Sequence, residues 1–437
     1  MNWFTSTLEF SGYPFKKAQS HLQSIQNEIN RSVETYLNQQ QWAILNYHLA
    51  KNPFYRTFCK TNRFDDWQEV PVLDKSHLQI PLEQRLSKGF SLKTVFKNST
   101  SGSSGQPFRF AKDKYAHALT WANINSLYQQ YGIQPGRSLE ARFYGIPKSG
   151  LAHKKERVKD KLANRIRFDV FDLSDQNLER FLESFKSHAF EYINGYASSI
   201  VRFAKFLNLK GLVLKDACPT LKVCITTSEM LFEEDRELLK SQLGIPVVNE
   251  YGAAELGIIA FENPASTWEI NCNTLFVEVV DDEGNPLGYD KEGHIVITSL
   301  YNKAHPFIRY KVGDLGMLSE DPVTGRPFLK KLTGRTNDFA CLPSGKVVPA
   351  LTFYYVTKTA VEQHGRLKEI VVEQTSKDRF DISYVSDLEL NSAEKEKIQN
   401  AIEAYLEPGL QLNFIKKEVI KRSPSGKLKQ FVSKIDG

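Results

Sequence analysis

A loop rich in serine and glycine, STSGSSGQP at residues 99–107, brings several hydroxyl groups and a flexible backbone together. Backbone N–H groups and hydroxyls can fold around phosphate oxygens in such a loop, because glycine permits the tight turns with positive φ that this geometry needs. A β-like run, LKTVFKN, precedes the loop and the alternating segment PFRF follows it, which predicts a hairpin loop and not an interdomain linker. The loop lacks the GxxxxGK[ST] pattern of Walker loops, and its glycine spacing excludes a nucleophile elbow. By itself it does not distinguish a phosphate site from an ordinary surface loop.

Two later segments carry groups suited to a nucleotide. NEYGAAELG, at 249–257, follows the predicted strand PVV, and ligands of α/β sheets bind beyond the carboxyl ends of parallel strands. Tyr251 offers a flat ring for stacking a base, and Glu255 offers a hard oxygen ligand for magnesium. In IRYKVGDLG, Asp314 is predicted at a strand end, where a carboxylate can accept two hydrogen bonds from a ribose diol. The alternatives are a packed tyrosine, a solvated helix start and a plain Gly-Asp turn.

A third segment, RSPSGKLKQF at 422–431, places Lys427 just after Pro424 and Gly426. The lysine is therefore predicted on a turn and not on a charged helix face. A compact ammonium there can neutralise a carboxylate or an α-phosphate where negative charge develops. The alternative is a solvated surface charge.

In this order and at these separations, the segments resemble the motifs of the adenylate-forming (acyl-activating) enzyme superfamily. The likeness is greatest to its phenylacetate–CoA ligase branch, which includes capsule-biosynthesis homologues. STSGSSGQP resembles the phosphate loop of that family, YGAAE its Tyr-Gly-x-Ser/Thr-Glu segment and YKVGD its ribose-binding segment. GRTND, at 334–338, is similar to the interdomain hinge, and SPSGK is similar to the segment with the catalytic lysine. The matches run from Ser99 to Lys427 and so cover most of the chain.

The resemblance implies a two-step reaction with ATP, Mg²⁺ and coenzyme A. A carboxylic acid first forms an acyl-adenylate with release of pyrophosphate. A small C-terminal domain then rotates near Asn337, and an acceptor, usually the thiol of coenzyme A, takes the acyl group. One alternative is an amide ligase or a carrier-protein loader in polysaccharide or secondary-metabolite synthesis. Another is a nucleotide-binding protein without turnover.

The resemblance also assigns the site residues. Lys427 would bridge the carboxylate and the α-phosphate, and Glu255 would hold Mg²⁺ and act in catalysis with it. Asp314 and Arg335 would grip the ribose. The other nucleotide-contacting residues implied, of which 249–251 would flank the adenine, are Ser101, Gly102, Ser103, Ser104, Gly105, Ser228, Asn249, Glu250, Tyr251 and Gly252.

The chain departs from the family pattern at three positions. Gln106 stands where the phosphate loop usually has lysine, Ala254 replaces a hydroxyl residue, and Asn337 replaces the first acidic residue or lysine of the hinge. Loss of one neutral hydrogen bond costs about 1 kcal/mol, which affects turnover more than reaction class. Some members of the branch bind zinc through Cys and His after the Tyr-Gly-x-x-Glu segment. Because FENPASTWEINC offers only Cys272, no zinc site is predicted.

These residues need a large α/β scaffold to position them. LKVCITTS and PVVN are predicted strands, and FEEDRELLKSQLG between them is predicted to be a helix closed by Gly244, the pattern of a parallel sheet. Residues 15–60 are predicted to be helical, and 274–300 to form two strands joined by a turn. EIVVEQ, RFDISYV and a helix from Asn391 follow.

The predicted fold class is therefore α/β. A large N-terminal α/β domain, 1–334, with layered sheets and helices would bind nucleotide and acid, and a small, mobile α+β domain, 335–437, would carry Lys427. The acid pocket is expected near Phe143, Tyr144 and Tyr196, which suit an aromatic or flat acid or are core aromatics.

A basic stretch, KSGLAHKKERVKDKLANRIRF, is predicted to be an amphipathic helix, because Val158, Leu162 and Ile166 recur at four-residue steps. Its charged face is either simply solvated or meets an acidic acceptor or substrate.

Composition sets the remaining limits. With 437 residues, of which 41% are hydrophobic, the chain can build a large core and two or three domains. The net charge of +6 suits an anionic ligand but is too diffuse to indicate nucleic acid. Five scattered cysteines, no leader and no apolar run of about 18 residues predict a soluble, cytoplasmic protein without a membrane span. The identity of the acid and the choice between monomer and homodimer stay open.

Overall fold

A computed structural model of the chain describes residues 3–100, 108–145, 150–335, 339–349, 367–423 and 426–435. The helices are α1 (Trp3–Phe10), α2 (Phe15–Arg31), α3 (Val33–Lys51), α4 (Pro53–Cys59), α5 (Lys114–Gln129), α6 (Gly150–Leu162), α7 (Asp175–Ser187), α8 (Ala197–Leu209), α9 (Leu214–Ala217), α10 (Glu233–Leu243) and α11 (Ser392–Tyr405). Short 3₁₀ turns cover Trp67–Glu69 and Leu82–Arg85. The strands are β1 (Phe96–Ser99), β2 (Arg109–Lys112), β3 (Glu140–Phe143), β4 (Arg165–Phe168), β5 (Tyr192–Tyr196), β6 (Val223–Thr227), β7 (Val247–Ala253), β8 (Gly257–Glu262), β9 (Trp268–Ile270), β10 (Leu275–Val280), β11 (Glu292–Ser299), β12 (Tyr310–Glu320), β13 (Pro327–Arg335), β14 (Phe339–Cys341), β15 (Val347–Pro349), β16 (Leu367–Gln374), β17 (Arg379–Ser386), β18 (Gln411–Lys416) and β19 (Phe431–Ser433).

One large sheet of eleven strands organises most of the chain, in the order β10-β11-β12-β13-β9-β8-β7-β6-β5-β3-β4. The pairs from β4 to β7 are parallel, and the pairs from β7 to β10 are antiparallel. The predicted strand–helix–strand unit is confirmed as β6, α10 and β7. Gly244 ends α10 in the left-handed conformation, with φ of 66°. The predicted mixed α/β fold is therefore confirmed.

The two faces of the parallel strands are covered by different helices. Residues at odd positions of β3, such as Ala141 and Phe143, pack with α7 and α8 in a core rich in phenylalanine. Phe143 and Phe168 stack there with their ring centres 4.9 Å apart. Because strand side chains alternate, Tyr192 of β5 and Ile225 of β6 face the other way, toward Tyr128 of α5.

The predicted hairpin around the serine- and glycine-rich loop is confirmed by its two strands. β1 and β2 pair antiparallel, and the N–H of Thr100 donates to the carbonyl of Phe108 at 2.9 Å. Helix α5 follows them, and the Asp113 side chain caps it by accepting from the N–H of Ala116 at 2.8 Å. Residues 101–107 lie outside the described residues.

The C-terminal region builds a smaller sheet of four strands, in the order β18-β17-β16-β19. Helix α11 packs on this sheet and starts after Asn391, as predicted, where Asn391 and Glu394 form a capping box. The hydrophobic core here draws its buried residues from 340–431 only and is separate from the cores of the large sheet. Residues 336–338 lie outside the described residues, so the domain boundary near 334–335 stays a prediction.

The predicted basic helix is wrong in its second half. Helix α6 ends at Leu162, Asn164 adopts a left-handed φ of 52°, and Ile166 lies in strand β4. Residues 165–168 pair in parallel with β3, and Arg165 and Arg167 both donate to the carboxylate of Asp160 on α6. No helix within the described ranges is both long and apolar enough to cross a membrane.

Candidate active site

The carboxyl ends of the parallel strands bring several predicted site residues to one edge of the sheet. In the strand register, Tyr196 of β5 lies opposite Thr227 of β6, and Thr227 lies opposite Glu250 of β7. Ser228 follows directly and is exposed, with a left-handed φ of 69° that is uncommon for a residue other than glycine. Ligands of such sheets bind beyond this edge.

Tyr251 and Asp314 meet across the sheet although 63 positions separate them in sequence. The hydroxyl of Tyr251 donates to Oδ2 of Asp314 at 2.6 Å. Asp314 lies within β12, where its backbone is opposite that of Arg335 on β13. The prediction that Asp314 ends a strand is wrong, because β12 pairs on both sides and continues to Glu320. The two residues predicted to grip a ribose are thus neighbours in register.

Glu255 is a buried carboxylate and not a solvated helix start. It lies in the turn between β7 and β8, is 4% exposed, and accepts a hydrogen bond from the hydroxyl of Tyr310 at 3.0 Å. Mg²⁺ in phosphate-transfer sites is typically held by one or two carboxylates together with substrate phosphates. Among the described residues, Glu255 with phosphate oxygens from a nucleotide therefore fits this ion.

Lys112 lies near Glu255 and is therefore a candidate site residue, which the sequence analysis missed. It is buried at the end of β2, and its ammonium donates to Oγ1 of Thr120 at 3.4 Å. Burial lowers the pKa of Lys112 to about 8, although the nearby Glu255 carboxylate opposes the shift. The available signal was a lysine ending an apolar alternating strand, just before the helix cap Asp113.

Of the two residues predicted with Tyr251 to flank an adenine, Glu250 faces the other side of the sheet, because side chains alternate along β7. Asn249 is buried, and its side-chain oxygen accepts from the Thr226 hydroxyl at 3.4 Å. Oε2 of Glu250 accepts from the hydroxyl of Tyr128 at 2.9 Å. The structure therefore brings Tyr251 and Asp314 together but does not bring Glu250 to them.

Glu250 instead lines a cavity of about 160 Å³ under α5. The residues around it come from β3, β5, β7, α1, α5 and the segments near β4. The cavity is lined by Phe4, Trp121, Ile124, Tyr128, Pro135, Gly136, Glu140, Arg142, Tyr144, Ala163, Arg165, Tyr192, Asn194 and Glu250. We refer to this space as the polar cavity. The sequence signal for it was the alternation in EARFY and YINGY, which places the polar residues of both strands on one face.

Of the three aromatic residues predicted at an acid pocket, only Tyr144 lines this cavity. Phe143 and Tyr196 belong to the phenylalanine-rich core. The ring centre of Tyr144 is 4.5 Å from that of Tyr196. The two tyrosine rings therefore join the wall of the cavity to the edge of the sheet at Tyr196.

Lys427 is on a turn, as predicted, and that turn is docked at the same edge. The N–H of Gly426 donates to the carbonyl of Ser423 at 2.8 Å, and the N–H of Ser423 donates to the carbonyl of Lys427 at 2.9 Å. The ammonium of Lys427 lies 6.0 Å from the ring centre of Tyr196. The turn thus brings the lysine to the carboxyl end of β5.

Polar contacts seat this turn on the large sheet. Oε1 of Glu229 accepts from the N–H of Leu428, and Oε2 accepts from the N–H of Ser198, both at 2.8 Å. The guanidinium of Arg422 donates to the hydroxyls of Ser198 and Ser199 at 3.1 and 3.2 Å. Glu229 therefore joins the start of α8 to the residue that follows Lys427.

Gly426 makes the closest approach of this turn. A Cβ at this position would lie 2.9 Å from the backbone nitrogen of Gly145 and 2.7 Å from Val170. Its φ of 90° also favours glycine.

The predicted phosphate loop, 101–105, lies outside the described residues, as does the hinge at 336–338. Within the described residues, no group of three or more His, Cys, Asp or Glu side chains could hold a metal ion. The expected absence of zinc stays a prediction.

Curated relatives of the chain carry the names that the motifs predicted. The chain is 23% identical over 316 residues to the protein CapK of Staphylococcus aureus, an alignment that covers 69% of this chain and 68% of CapK. It is 26% identical over 291 residues to the phenylacetate-coenzyme A ligase of Pseudomonas putida, which covers 64% and 62% of the two chains. The chain therefore spans somewhat less than two thirds of that ligase. No family model matches the chain.

Solved structures with the same fold are ligases. The 2-hydroxyisobutyryl-CoA ligase in its postadenylation state has a TM-score of 0.70 and 16% identity, with 91% of this chain and 89% of that chain covered. The same ligase in its thioesterification state has a TM-score of 0.57 and 17% identity, with coverage of 93% and 90%. The amide bond synthetase McbA from Marinactinospora thermotolerans has a TM-score of 0.54 and 17% identity, with coverage of 80% and 71%. The resemblance to the adenylate-forming superfamily and its phenylacetate–CoA ligase-like branch is confirmed.

Proposed function

We propose that this protein activates a carboxylic acid with ATP through an acyl-adenylate and transfers the acyl group to coenzyme A. The observation that carries the proposal is the docked turn of Lys427, whose ammonium is 6.0 Å from the ring of Tyr196. A lysine more than 200 positions from Tyr196 in sequence thereby reaches the edge of the sheet where α/β folds bind ligands.

In the first step, a carboxylate oxygen of the acid forms a bond to the α-phosphorus of ATP. The bond from that phosphorus to the oxygen bridging to the β-phosphate breaks, and pyrophosphate leaves with the electron pair. Lys427 would lie between the two reacting anions, where its positive charge lowers their repulsion and stabilises the charge on the α-phosphate. Bringing two negative groups together is the main barrier that the protein must offset.

The nucleotide would be held by groups on both sides of the sheet edge. Asp314, with Arg335 opposite it on the next strand, would bind the ribose, and the Tyr251 hydroxyl would keep the Asp314 carboxylate in place. Residues 101–105 and Ser228 would contact the phosphates. Bound Mg²⁺ would neutralise phosphate charge, and Glu255 is the residue that would hold it. Lys112, behind Glu255, would limit the negative charge that Glu255 adds.

In the second step, the sulfur of coenzyme A forms a bond to the carbonyl carbon, the bond to the AMP oxygen breaks, and the thiol proton passes to solvent. The turn of Lys427 would have to leave before a long acceptor could approach. Support comes from the hydrogen bonds of this turn to Glu229, Ser198 and Ser199, which can be exchanged for water at small cost.

A second candidate function keeps the first step and delivers the acyl group to an amine or a carrier protein. It is favoured by the fold that this chain shares with the amide bond synthetase McbA. The two functions differ only in the acceptor.

The test is release of pyrophosphate with ATP, Mg²⁺ and a panel of aryl, fatty, amino and sugar acids, with and without coenzyme A. We expect release with one class of acid and formation of its thioester when coenzyme A is present. Product that needs an amine and ignores coenzyme A would establish the second function. Absence of release with every acid, while ATP binds, would indicate a nucleotide-binding protein without turnover.

A further inference from the structure

The polar cavity is unusual for a space enclosed by a sheet and a helix, because charged side chains line it. Glu140 and Arg142 of β3, Asn194 of β5 and Glu250 of β7 all contribute to its wall. On the other face of the same strands, Ala141, Phe143 and Ile193 pack into an apolar core. Buried polar groups are costly unless they are paired, so this wall is retained at the expense of stability.

Most of the polar groups in the wall have partners, but Arg142 keeps an unused donor. Its Nη1 donates to Glu140 at 2.7 Å, and its guanidinium lies 4.0 Å from the ring centre of Tyr144. The Nε of Arg142 is buried and has no hydrogen-bond partner in the part of the chain that the structure describes. A buried donor without a partner is available to a ligand oxygen or to a water molecule.

Glu250 supplies accepting oxygens to the same cavity. Tyr128 and Thr227 each donate to one of its oxygens, at 2.9 and 3.0 Å, which leaves further lone pairs on both. Burial raises the pKa of Glu250, so the site does not favour a second negative charge beside it. Donor and acceptor therefore face one small space.

The cavity adjoins the edge of the sheet where Lys427 is docked, through the contact of two tyrosine rings. Tyr144 on its wall contacts Tyr196, and Tyr196 lies beneath the ammonium of Lys427. A carboxylate next to Lys427 would thus project its remaining atoms past the two tyrosines. With about 160 Å³, the cavity is below the roughly 300–1,000 Å³ of sites for drug-sized ligands and suits a small acid.

We propose that the acid activated by this protein carries a hydroxyl group remote from its carboxylate, and that this hydroxyl accepts from Arg142 and donates to Glu250. The inference rests on the proposed function for the position of the carboxylate. An alkyl or unsubstituted aryl group would leave the Nε of Arg142 unpaired. The wall carries both glutamates and arginines, so a charged ligand group of either sign would meet like charge as well as opposite charge, and a neutral group that both donates and accepts fits best.

The first test uses the wild-type protein and matched acids that differ by one hydroxyl. Phenylacetate is compared with 3- and 4-hydroxyphenylacetate, and butanoate with 3- and 4-hydroxybutanoate, by pyrophosphate release. We expect the best hydroxylated acid to exceed its unsubstituted partner by about 100-fold or more in kcat/KM, because sites built around a hydroxyl reject analogues that lack it. Equal or better use of the unsubstituted acids would overturn the inference.

A second test assigns the discrimination to the cavity. Glu250→Leu should reduce the ratio between the hydroxylated and unsubstituted acids at least tenfold, and Glu250→Gln, which keeps one accepting oxygen, should reduce it less. Glu191→Gln is the matched control, since Glu191 lies just before β5 at the opposite end of the strand, paired with Lys222. An unchanged ratio in a folded Glu250→Leu protein would contradict the assignment.

Failure of the inference and failure of the proposed function give different results. If unsubstituted acids support release best, the ligase function stands and the inference falls. If no acid supports release, calorimetry with the same acid pairs decides. Binding of a hydroxylated acid at least tenfold tighter than its partner would support the cavity without the reaction, and equal binding or none would overturn it.

Discussion

The residues that meet around Lys427 are held in two different ways. Tyr196, Thr227 and Glu250 belong to adjacent strands of an eleven-stranded sheet, and their positions follow from its register. Lys427 lies on a turn of the C-terminal region, whose hydrophobic core is separate. This turn is joined to the large sheet by hydrogen bonds to Glu229, Ser198 and Ser199.

The difference indicates that the edge of the large sheet is a preformed surface, whereas the Lys427 turn is a surface that can detach from it. Removing the turn would expose polar groups that water can satisfy, whereas removing a strand would expose a core. Changes in the sheet should therefore alter the binding of ligands, and changes in the turn should alter the chemical step. Each prediction below tests that division.

The largest effect is expected for Lys427→Ala. Adenylate formation should fall by about 100-fold or more, because one positive charge at the reacting atoms is lost, while ATP binding changes only a few-fold. Acid-dependent ATP–pyrophosphate exchange and equilibrium binding of ATP measure the two quantities. Lys429→Ala, an exposed lysine two residues further on, is the control. If Lys427→Ala weakened ATP binding as much as adenylate formation, the separation of ligand binding from the chemical step would be contradicted.

Glu229→Gln should have a smaller effect, confined to the first step. The substitution removes the charge that accepts from the N–H groups of Leu428 and Ser198. Hydrogen bonds to charged groups contribute about 1.5–3 kcal/mol, so adenylate formation should fall by about tenfold or more. Thioester formation from an acyl-adenylate supplied in solution should be unchanged. A matching loss in that second step would show that Glu229 does not act through docking.

The charge of Lys112 should change the KM for ATP severalfold, and this change should depend on pH. Its pKa of about 8 means that the charge next to Glu255 is lost above this pH, which should raise the KM for ATP. In the unfolded chain the same lysine keeps its proton up to about 10.5, so the unfolded state binds more protons between these values. The contribution of Lys112 to stability therefore becomes more favourable as pH rises through this window, while ATP binding weakens.

Lys112→Met should abolish this pH dependence and give a high KM for ATP at neutral pH. Lys114→Met, on the first turn of α5, is the control and should keep the wild-type profile. Unfolding curves recorded at the same pH values separate the effect of Lys112 on stability from its effect on ATP binding. A KM that does not change with pH in the wild-type protein would contradict the role of Lys112.

Tyr251→Phe should have the smallest effect. It removes the hydrogen bond to Asp314 and leaves the ring, which costs about 1 kcal/mol and a severalfold rise in the KM for ATP. The rate of adenylate formation at saturating ATP should stay within about twofold. A loss in that rate with an unchanged KM would place Tyr251 in the chemistry and not in binding.

Much of the scaffold could be predicted from local patterns. The strand–helix–strand unit around Gly244 and the capping box of Asn391 depend on residues close in sequence, and both are confirmed. Periodicity failed where a distant partner decided the structure. Ile166 continues a helical spacing, but residues 165–168 pair with β3 and form a strand.

The candidate site was predictable in its residue types but not in its grouping. The motif order placed Tyr251, Asp314 and Lys427 in one site, yet it also assigned Glu250 to the adenine. Because neighbours on a strand face opposite ways, Glu250 belongs to the polar cavity if Tyr251 belongs to the nucleotide side. Lys112 and Glu255 are far apart in sequence, so the local signal for a buried lysine could not show that the two charges lie near each other.

The contact between Gly426 and Gly145 limits how far the Lys427 turn can shift before the reaction slows. Where two backbones touch without side chains, the position of the next residue, Lys427, is fixed by main-chain atoms and not by a side chain that can repack. A methyl group at 426 would push the whole turn outward, and a displacement of about 1 Å at reacting groups can cost about 100-fold in rate. The position of the Lys427 ammonium is therefore set by two glycines that carry no functional group.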